Sequence, residues 1–241
     1  MTERTSAELC EELKRLIDDT QHHNEEECKE YLKYVPGLFI RDSFRDNRNI
    51  LRIKTEYRHH TGDSDYIISA NVSANGIGCA RAYVWEIKAP QCFVFRKTNE
   101  NRAEPSPDLI QAETQLLHYY DDLKHQTKYL FEEFKVPLAE DLCFGGIIIG
   151  CNRTKVERAE NETEMNTLFN RAIRCRNYFY EHAKGTIKLM LWDEILPFLS
   201  GGEYIHTEHK RVEAASPYEA PRISPDTISV FGDEKASLTT E

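Results

Sequence analysis

The stretch ARAYVWEIKAP, residues 80–90, decides the fold of this chain of 241 residues. Its aromatic and branched side chains predict a strand, and the proline that follows ends it. Side chains two positions apart in a strand share a face. Trp85 and Ile87 therefore face a helix, whereas Glu86 and Lys88 face the opposite way. A carboxylate and an ammonium group thus project side by side from an otherwise apolar strand.

Two further predicted strands precede this one and are joined to it by short turns. They are ILRIKTEY at residues 50–57 and DYIISANV at 65–72, and the short connections predict an antiparallel meander. Asp65 lies on the strand face opposite Tyr66. If the second and third strands pair as a hairpin, Asp65 lies close to Glu86 and both point into one cleft.

Periodicity and turn residues predict the elements around the meander. They are two acidic helices within 5–34, a helix that starts at Ser106-Pro107-Asp108 and runs to about 134, an apolar strand at 142–151 buried on both faces, a helix at 161–184 with Cys175 and Phe179 facing inward, and a strand at 186–192. Residues 99–108 are predicted to form a loop. The expected fold class is α/β, with a mixed central sheet that contains the antiparallel β-meander and is flanked by helices.

Three regions follow from this pattern. An N-terminal helix is expected over residues 1–23, the main domain over 24–201, and a polar C-terminal arm or tail over 202–241. The formal net charge is -10, which does not suit a protein that coats nucleic acid by bulk electrostatics. The seven cysteines are scattered and include no CxxC pair, so we expect reduced thiols. We find neither a secretory signal nor an apolar membrane span, and we expect a cytoplasmic protein without membrane partners.

The side chains in the predicted cleft suit the hydrolysis of phosphodiester bonds. Carboxylates such as those of Asp65 and Glu86 are hard ligands that bind Mg²⁺, for which Mn²⁺ is an expected substitute. The main-chain carbonyl of Ile87 is a candidate further ligand. Lys88 is suited to stabilise developing negative charge or to position the attacking water. Asp63 competes with Asp65 for the ligand role, and we favour Asp65 because it directly precedes the apolar run.

Basic residues near this end of the sheet are candidates to contact the DNA backbone. Arg96, Lys97 and Arg102 lie in the segment that leaves the predicted active-site strand. Arg58 belongs to a locally basic segment before the cleft. These residues are predicted to bind phosphate.

The order Asp65, then Glu86-Ile87-Lys88, resembles the PD-(D/E)xK pattern of restriction-endonuclease-like nucleases, although Ser64 replaces the usual proline. Gln115 and Tyr119, one turn apart on the long helix, resemble the QxxxY motif of RecB-type members. Together with EEECKEYLKYVPGLF, DSDYII, VWEIKAP, IQAETQLLHYYDDL and FGGIIIG, they make residues 24–192 similar to the nuclease domain of the Shedu family of anti-phage defence proteins.

This resemblance implies a restriction-endonuclease-like core and a metal-dependent DNA endonuclease that acts in anti-phage defence as a homo-oligomer. It implies that Gln115 and Tyr119 support the catalytic residues. It also implies that a glutamate of the leading helix completes the metal site, and Glu25 and Glu26 are both candidates. Two alternatives stay open: a catalytically silent nucleic-acid-binding or scaffold domain of the same fold, and an RNA-directed nuclease with the same residues.

Overall fold

The central feature of the computed structural model is a five-stranded mixed sheet. The structure describes residues 4–40, 50–58, 63–74, 77–181 and 187–200, and the predicted C-terminal arm lies outside them. In spatial order, the strands of the sheet are β1 Ile50–Arg58, β2 Asp63–Ala74, β3 Ile77–Ile87, β6 Leu142–Ile148 and β8 Lys188–Met190. β1 to β3 are antiparallel neighbours, and β6 and β8 continue the sheet in parallel. The predicted mixed α/β sheet with its antiparallel meander is confirmed.

Helices cover both faces of this sheet. They are α1 Ser6–Asp18, α2 Glu25–Leu32, α3 Pro107–Lys124, α4 Thr127–Phe134, α5 Glu162–Glu181 and α6 Leu196–Ser200. Tyr66 and Trp85 pack in an apolar cluster with residues of α1, α2 and α6. Ile67 and Val84 pack in a second cluster with residues of α3, α4 and α5. Alternate residues of β2 and β3 thus supply both cores, because successive side chains of a strand point to opposite faces.

Two glycines allow the close packing around β6. A Cβ atom at Gly145 would lie 2.1 Å from Nε1 of Trp85, and one at Gly146 would lie 2.1 Å from the carbonyl oxygen of Lys188. Trp85 is fully buried and donates its indole N–H to the carbonyl of Phe39 at 3.1 Å. The apolar strand is buried on both faces, as predicted, because Phe144 packs in the cluster with α3, α4 and α5, and Ile148 packs in the cluster with α1, α2 and α6.

A small second sheet replaces part of the predicted loop. Its order is β5-β4-β7, with β4 Phe95–Asn99, β5 Arg102–Pro105 and β7 Val156–Glu157. The prediction of a loop across residues 99–108 was therefore wrong for β5. Main-chain pairing holds this hairpin, and of its residues only Phe95 is buried. Such a short polar hairpin has no strong alternation of apolar residues that would predict it.

The long predicted helix is two helices. Ser106 caps α3 as predicted, accepting the amide of Leu109 at 3.0 Å. α3 ends at Lys124 and α4 begins at Thr127. Leu123 and Leu130 are both buried in the same apolar cluster, so their spacing of seven residues continues across the break. The periodic pattern of apolar residues alone therefore could not reveal the break between α3 and α4.

The inward face of α5 also differs from the prediction. Cys175 is exposed and Phe179 is 61% exposed, whereas Leu168, Ala172 and Tyr180 are buried. The buried stripe passes through position 176, and the arginine there pairs with a buried glutamate of α3. A charged, partly buried residue within this stripe hid the true face. Within the described ranges, no helix is both long and apolar enough to span a membrane.

Candidate active site

The site lies where β2 and β3 stop pairing. The last paired residues are Tyr66 and Trp85. Beyond them, Oδ2 of Asp65 accepts the amide hydrogen of Ile87 at 2.8 Å. On its other edge β3 stays paired with β6, and the Lys88 amide donates to the carbonyl of Ile148 at 2.8 Å. The two strands diverge here, and the Asp65 carboxylate binds a backbone amide that the ladder leaves open.

The structure brings Glu86 next to Asp65, as the predicted hairpin register requires. The side chain of Glu86 is 1% exposed. Its Oε1 accepts from Nζ of Lys88 at 2.7 Å, whereas its Oε2 is buried without a hydrogen-bond partner among the described residues. Burial raises the pKa of Glu86 to about 8, with a further contribution from the charge of Asp65 and an opposing one from Lys88. Glu86 is thus an acid that readily keeps its proton near neutral pH.

Lys88 stays positively charged in this setting. Its side chain is 13% exposed. Burial opposes its charge, but the neighbouring carboxylates, led by Glu86, raise its pKa above the ordinary value. An ammonium with a raised pKa is a poor general base and a good partner for negative charge. The main chain of this residue is also held, because the indole of Trp192 donates to its carbonyl at 2.8 Å.

Helix α2 adds a glutamate and a second lysine. Oε2 of Glu25 accepts the amide of Ala89 at 3.1 Å. Nζ of Lys29 lies 2.8 Å from Oδ1 of Asp65, 3.1 Å from Oε1 of Glu25 and 2.8 Å from Oε1 of Glu26. Burial opposes the charge on Lys29, but Asp65 and the two glutamates raise its pKa. Lys29 was missed in the sequence, where its spacing from Glu25 and Glu26 is typical of ordinary pairs along a helix.

The predicted helix residues Gln115 and Tyr119 lie together on α3. Nε2 of Gln115 donates to the hydroxyl oxygen of Tyr119 at 3.3 Å. Tyr119 is buried in the apolar cluster that also contains Ile67 and Val84 of β2 and β3. Oε1 of Gln115 is buried without a hydrogen-bond partner among the described residues. α3 thus covers the sheet face from which Glu86 projects.

The residues predicted to bind DNA pair with acids of their own chain. Nε of Arg96 lies 2.6 Å from Glu157, Nζ of Lys97 lies 2.7 Å from Glu164, and Arg102 lies 3.1 Å from Glu104. These cations belong to the small second sheet, where carboxylates offset much of their charge. The backbones of Arg58 and Asp63 pair with each other between β1 and β2, and their side chains lie outside what the structure describes.

The carboxylates can be compared with the needs of a divalent ion. Across the described ranges, no three or more His, Cys, Asp or Glu side chains are grouped to hold a metal. Glu25 does not complete such a group with Asp65 and Glu86; it binds Lys29 and the amide of Ala89. Mg²⁺, however, commonly uses only one or two carboxylates and keeps waters or substrate oxygens as its other ligands. Asp65 and Glu86 fit that smaller requirement once Glu86 has lost its proton, because its buried Oε2 is then an acceptor that a cation would satisfy.

No protein-family model matches the chain, and no curated protein matches its sequence. The fold and the site by themselves define the class, which is an α/β protein with a mixed five-stranded sheet. Its distinguishing feature is a buried carboxyl group, a partly buried carboxylate and two ammonium groups at the point where β2 and β3 diverge.

Proposed function

We propose that this protein is a metal-dependent endonuclease of the restriction-endonuclease-like class that hydrolyses phosphodiester bonds in DNA. The observation that carries the proposal is Glu86, a buried carboxylate with one unpartnered oxygen beside Asp65 and Lys88. Once Glu86 has lost its proton, its Oε2 is an unsatisfied buried acceptor, which costs free energy on the order of 1–3 kcal/mol. Such a cost is understandable where a ligand satisfies the group during function.

Asp65 and Glu86 would hold Mg²⁺ in this proposal, with the carbonyl of Ile87 as a candidate additional ligand. The ion, when bound, would lower the pKa of a bound water and offset charge on the phosphoryl oxygens. Glu86 must give up its proton to act as a ligand. Lys88 stays protonated, so its part is to stabilise negative charge on the phosphoryl group and to orient the nucleophile, rather than to accept a proton.

Gln115 and Tyr119 would act as positioning residues. The hydrogen bond between them holds the amide of Gln115 in place, which leaves its Oε1 as a free acceptor in the interior. A buried acceptor of this kind is suited to accept a hydrogen bond from a water or from a protonated carboxyl group at the site. We therefore expect loss of Gln115 to impair cleavage less than loss of Asp65 or Glu86.

We expect little overall electrostatic attraction between the protein and DNA, so binding would depend on the local geometry of the DNA. The chain has a formal net charge of -10, and the predicted DNA contacts Arg96, Lys97 and Arg102 are paired with carboxylates. A protein that releases few counterions has a shallow dependence of affinity on salt. A steep dependence would contradict this part of the proposal.

A role in anti-phage defence, a homo-oligomeric assembly and a cytoplasmic location follow from the resemblance to Shedu proteins and belong to the proposal.

Cleavage assays test the proposal directly. Supercoiled, linear and single-stranded DNA and RNA would be incubated with Mg²⁺ or Mn²⁺ beside Lys88→Ala and Lys33→Ala. Lys33 is 51% exposed at the end of α2 and pairs with Glu30, so its variant is a matched control for loss of a lysine. We expect metal-dependent DNA cleavage that only Lys88→Ala abolishes. Preferential cleavage of RNA would instead identify an RNA-directed nuclease.

A catalytically silent scaffold of the same fold is the second candidate. It is favoured by one observation: Asp65 and Glu86 already interact with Lys29, Lys88 and the amide of Ile87. A site whose acids are balanced by the chain's own cations is stable without a metal. Absence of metal-dependent cleavage above the level of Lys88→Ala, on every substrate, would identify this alternative.

A further inference from the structure

Lys29 has the surroundings of a bound cation. Its Nζ contacts oxygens of three carboxylates, those of Glu25, Glu26 and Asp65, at 2.8–3.1 Å. The side chain is 13% exposed, as is that of Asp65. By contrast, Lys33 of the same helix end pairs with one exposed glutamate and is 51% exposed. The contact to Asp65 joins residues far apart in sequence, so tertiary packing, and not helix spacing, brings Lys29 to the site.

The carboxylate of Asp65 is the partner of Lys29 and also a proposed ligand of the metal ion. Oδ1 of Asp65 accepts from Lys29 and Oδ2 from the Ile87 amide, so both oxygens are engaged. Beside Asp65, the buried Oε2 of Glu86 has no hydrogen-bond partner among the described residues. A divalent cation that satisfies Glu86 must also approach Asp65, and it would meet the ammonium of Lys29 there. Two cations at one carboxylate repel each other strongly in a poorly hydrated site.

We infer that Lys29 is the resident counter-ion of this site and that a divalent metal binds only by displacing its ammonium from Asp65. This inference rests on the proposed function. Glu25 and Glu26 then have a role other than metal ligation, because they contact the same ammonium and can retain it after Asp65 is released. Lys29 is thus a positioning residue that lowers the affinity of the site for metal and keeps the carboxylates balanced while no metal is bound.

Metal binding can be measured without reference to cleavage. The probe is Mn²⁺, followed through loss of the electron paramagnetic resonance signal of the free hydrated ion. Wild type, Lys29→Met and Lys33→Met would be titrated, each with and without Glu86→Gln. Both lysine variants remove one positive charge from α2, so a general effect of acidity appears equally in both. Binding that Glu86→Gln removes is binding at the candidate site.

We expect Lys29→Met to bind Mn²⁺ at this site at least tenfold more tightly than wild type and Lys33→Met, and to lose that gain when Glu86→Gln is added. Equal or weaker binding by Lys29→Met, with Glu86-dependent binding in wild type, overturns the inference and leaves the nuclease proposal standing. Absence of Glu86-dependent binding in every variant overturns both. Circular dichroism would verify folding, and Lys29→Gln, which keeps hydrogen-bond donors, replaces Lys29→Met if the latter does not fold.

Discussion

The carboxylate of Asp65 binds the amide of Ile87 at 2.8 Å, immediately beyond the last paired residues of β2 and β3. A side chain thereby takes the place of a strand partner at the point of divergence. This one contact holds an acid beside Glu86 and within 2.8 Å of Lys29. The architecture of the sheet and the chemistry of the site are therefore joined in a single residue.

Asp65→Asn is expected to abolish metal-dependent cleavage while preserving the fold. The amide oxygen of asparagine can still accept from Ile87, but a neutral group is a weak ligand for Mg²⁺ and a weak partner for Lys29. We expect cleavage to fall by about 100-fold or more, measured as the initial rate on supercoiled DNA. Asp63→Asn serves as the control. A larger loss in Asp63→Asn than in Asp65→Asn would assign the ligand role to Asp63 instead.

Glu86 is expected to make the metal-free protein less stable as the pH rises. Its folded pKa of about 8 lies above the ordinary value of 4.5, so the folded protein binds this proton more tightly than the unfolded chain. The associated stability is complete below 4.5 and is lost as the pH rises to about 8. Urea unfolding with a chelator, between pH 5 and 9, should show a decrease on the order of 4 kcal/mol from this group.

Glu86→Gln tests the assignment of that pH dependence. Glutamine does not titrate, so the decrease attributed to Glu86 should disappear. The variant is expected to equal or exceed wild type in stability at pH 9, although Lys88 loses its nearest carboxylate. An unchanged dependence of unfolding free energy on pH would show that Glu86 does not retain a proton in the folded protein.

The ion pair between Glu113 and Arg176 is expected to stabilise the packing of α3 on α5. Two nitrogens of Arg176 donate to the Glu113 carboxylate, and the hydroxyl of Tyr180 donates to it as well. Glu113→Ala would leave a partly buried guanidinium and a buried hydroxyl without their acceptor. We expect a loss of about 3 kcal/mol in the free energy of unfolding.

The control for this pair is Arg174→Ala on the exposed side of α5. Its guanidinium bonds only to a backbone carbonyl of its own helix among the hydrogen bonds of the described residues. We expect its unfolding free energy to change by less than about 0.5 kcal/mol. Equal losses for Glu113→Ala and Arg174→Ala in urea unfolding at pH 7 would contradict a stabilising role for the buried pair.

Gly145→Ala is expected to disrupt the core beside the site. The new Cβ would lie 2.1 Å from Nε1 of Trp85, whose indole is fixed by its bond to Phe39. We expect a loss of about 3 kcal/mol and a changed tryptophan fluorescence spectrum. At Gly78, in the neighbouring strand, a Cβ would meet nothing within 4 Å, so Gly78→Ala is the matched control. Similar stability for both variants would show that Trp85 moves aside easily.

Local sequence patterns were enough to predict the elements that hold the candidate carboxylates. Alternation in β2 and β3 placed Asp65 and Glu86 on one face, since side-chain direction in a strand depends only on position. Ser106 as N-cap and Pro107 as the first helical residue identified the start of α3, because serine suits the N-cap and proline suits the first position of a helix. The uninterrupted apolar run of β6 predicted burial on both faces, which the neighbouring strands and helices provide.

Other features depended on contacts between distant parts of the chain. The apolar spacing continues across the break between α3 and α4, so the pattern did not show the break. The charge of Arg176 disguised its partly buried position on α5. In the sequence, Lys29 has only the spacing of an ordinary helix residue. Its contact with Asp65 exists because α2 packs against the end of β2. In β2 and β3, sequence alone determined which face each side chain occupies, because the alternation of a strand is set locally by backbone geometry. Tertiary structure decided which charges meet, because such contacts depend on how separate elements pack.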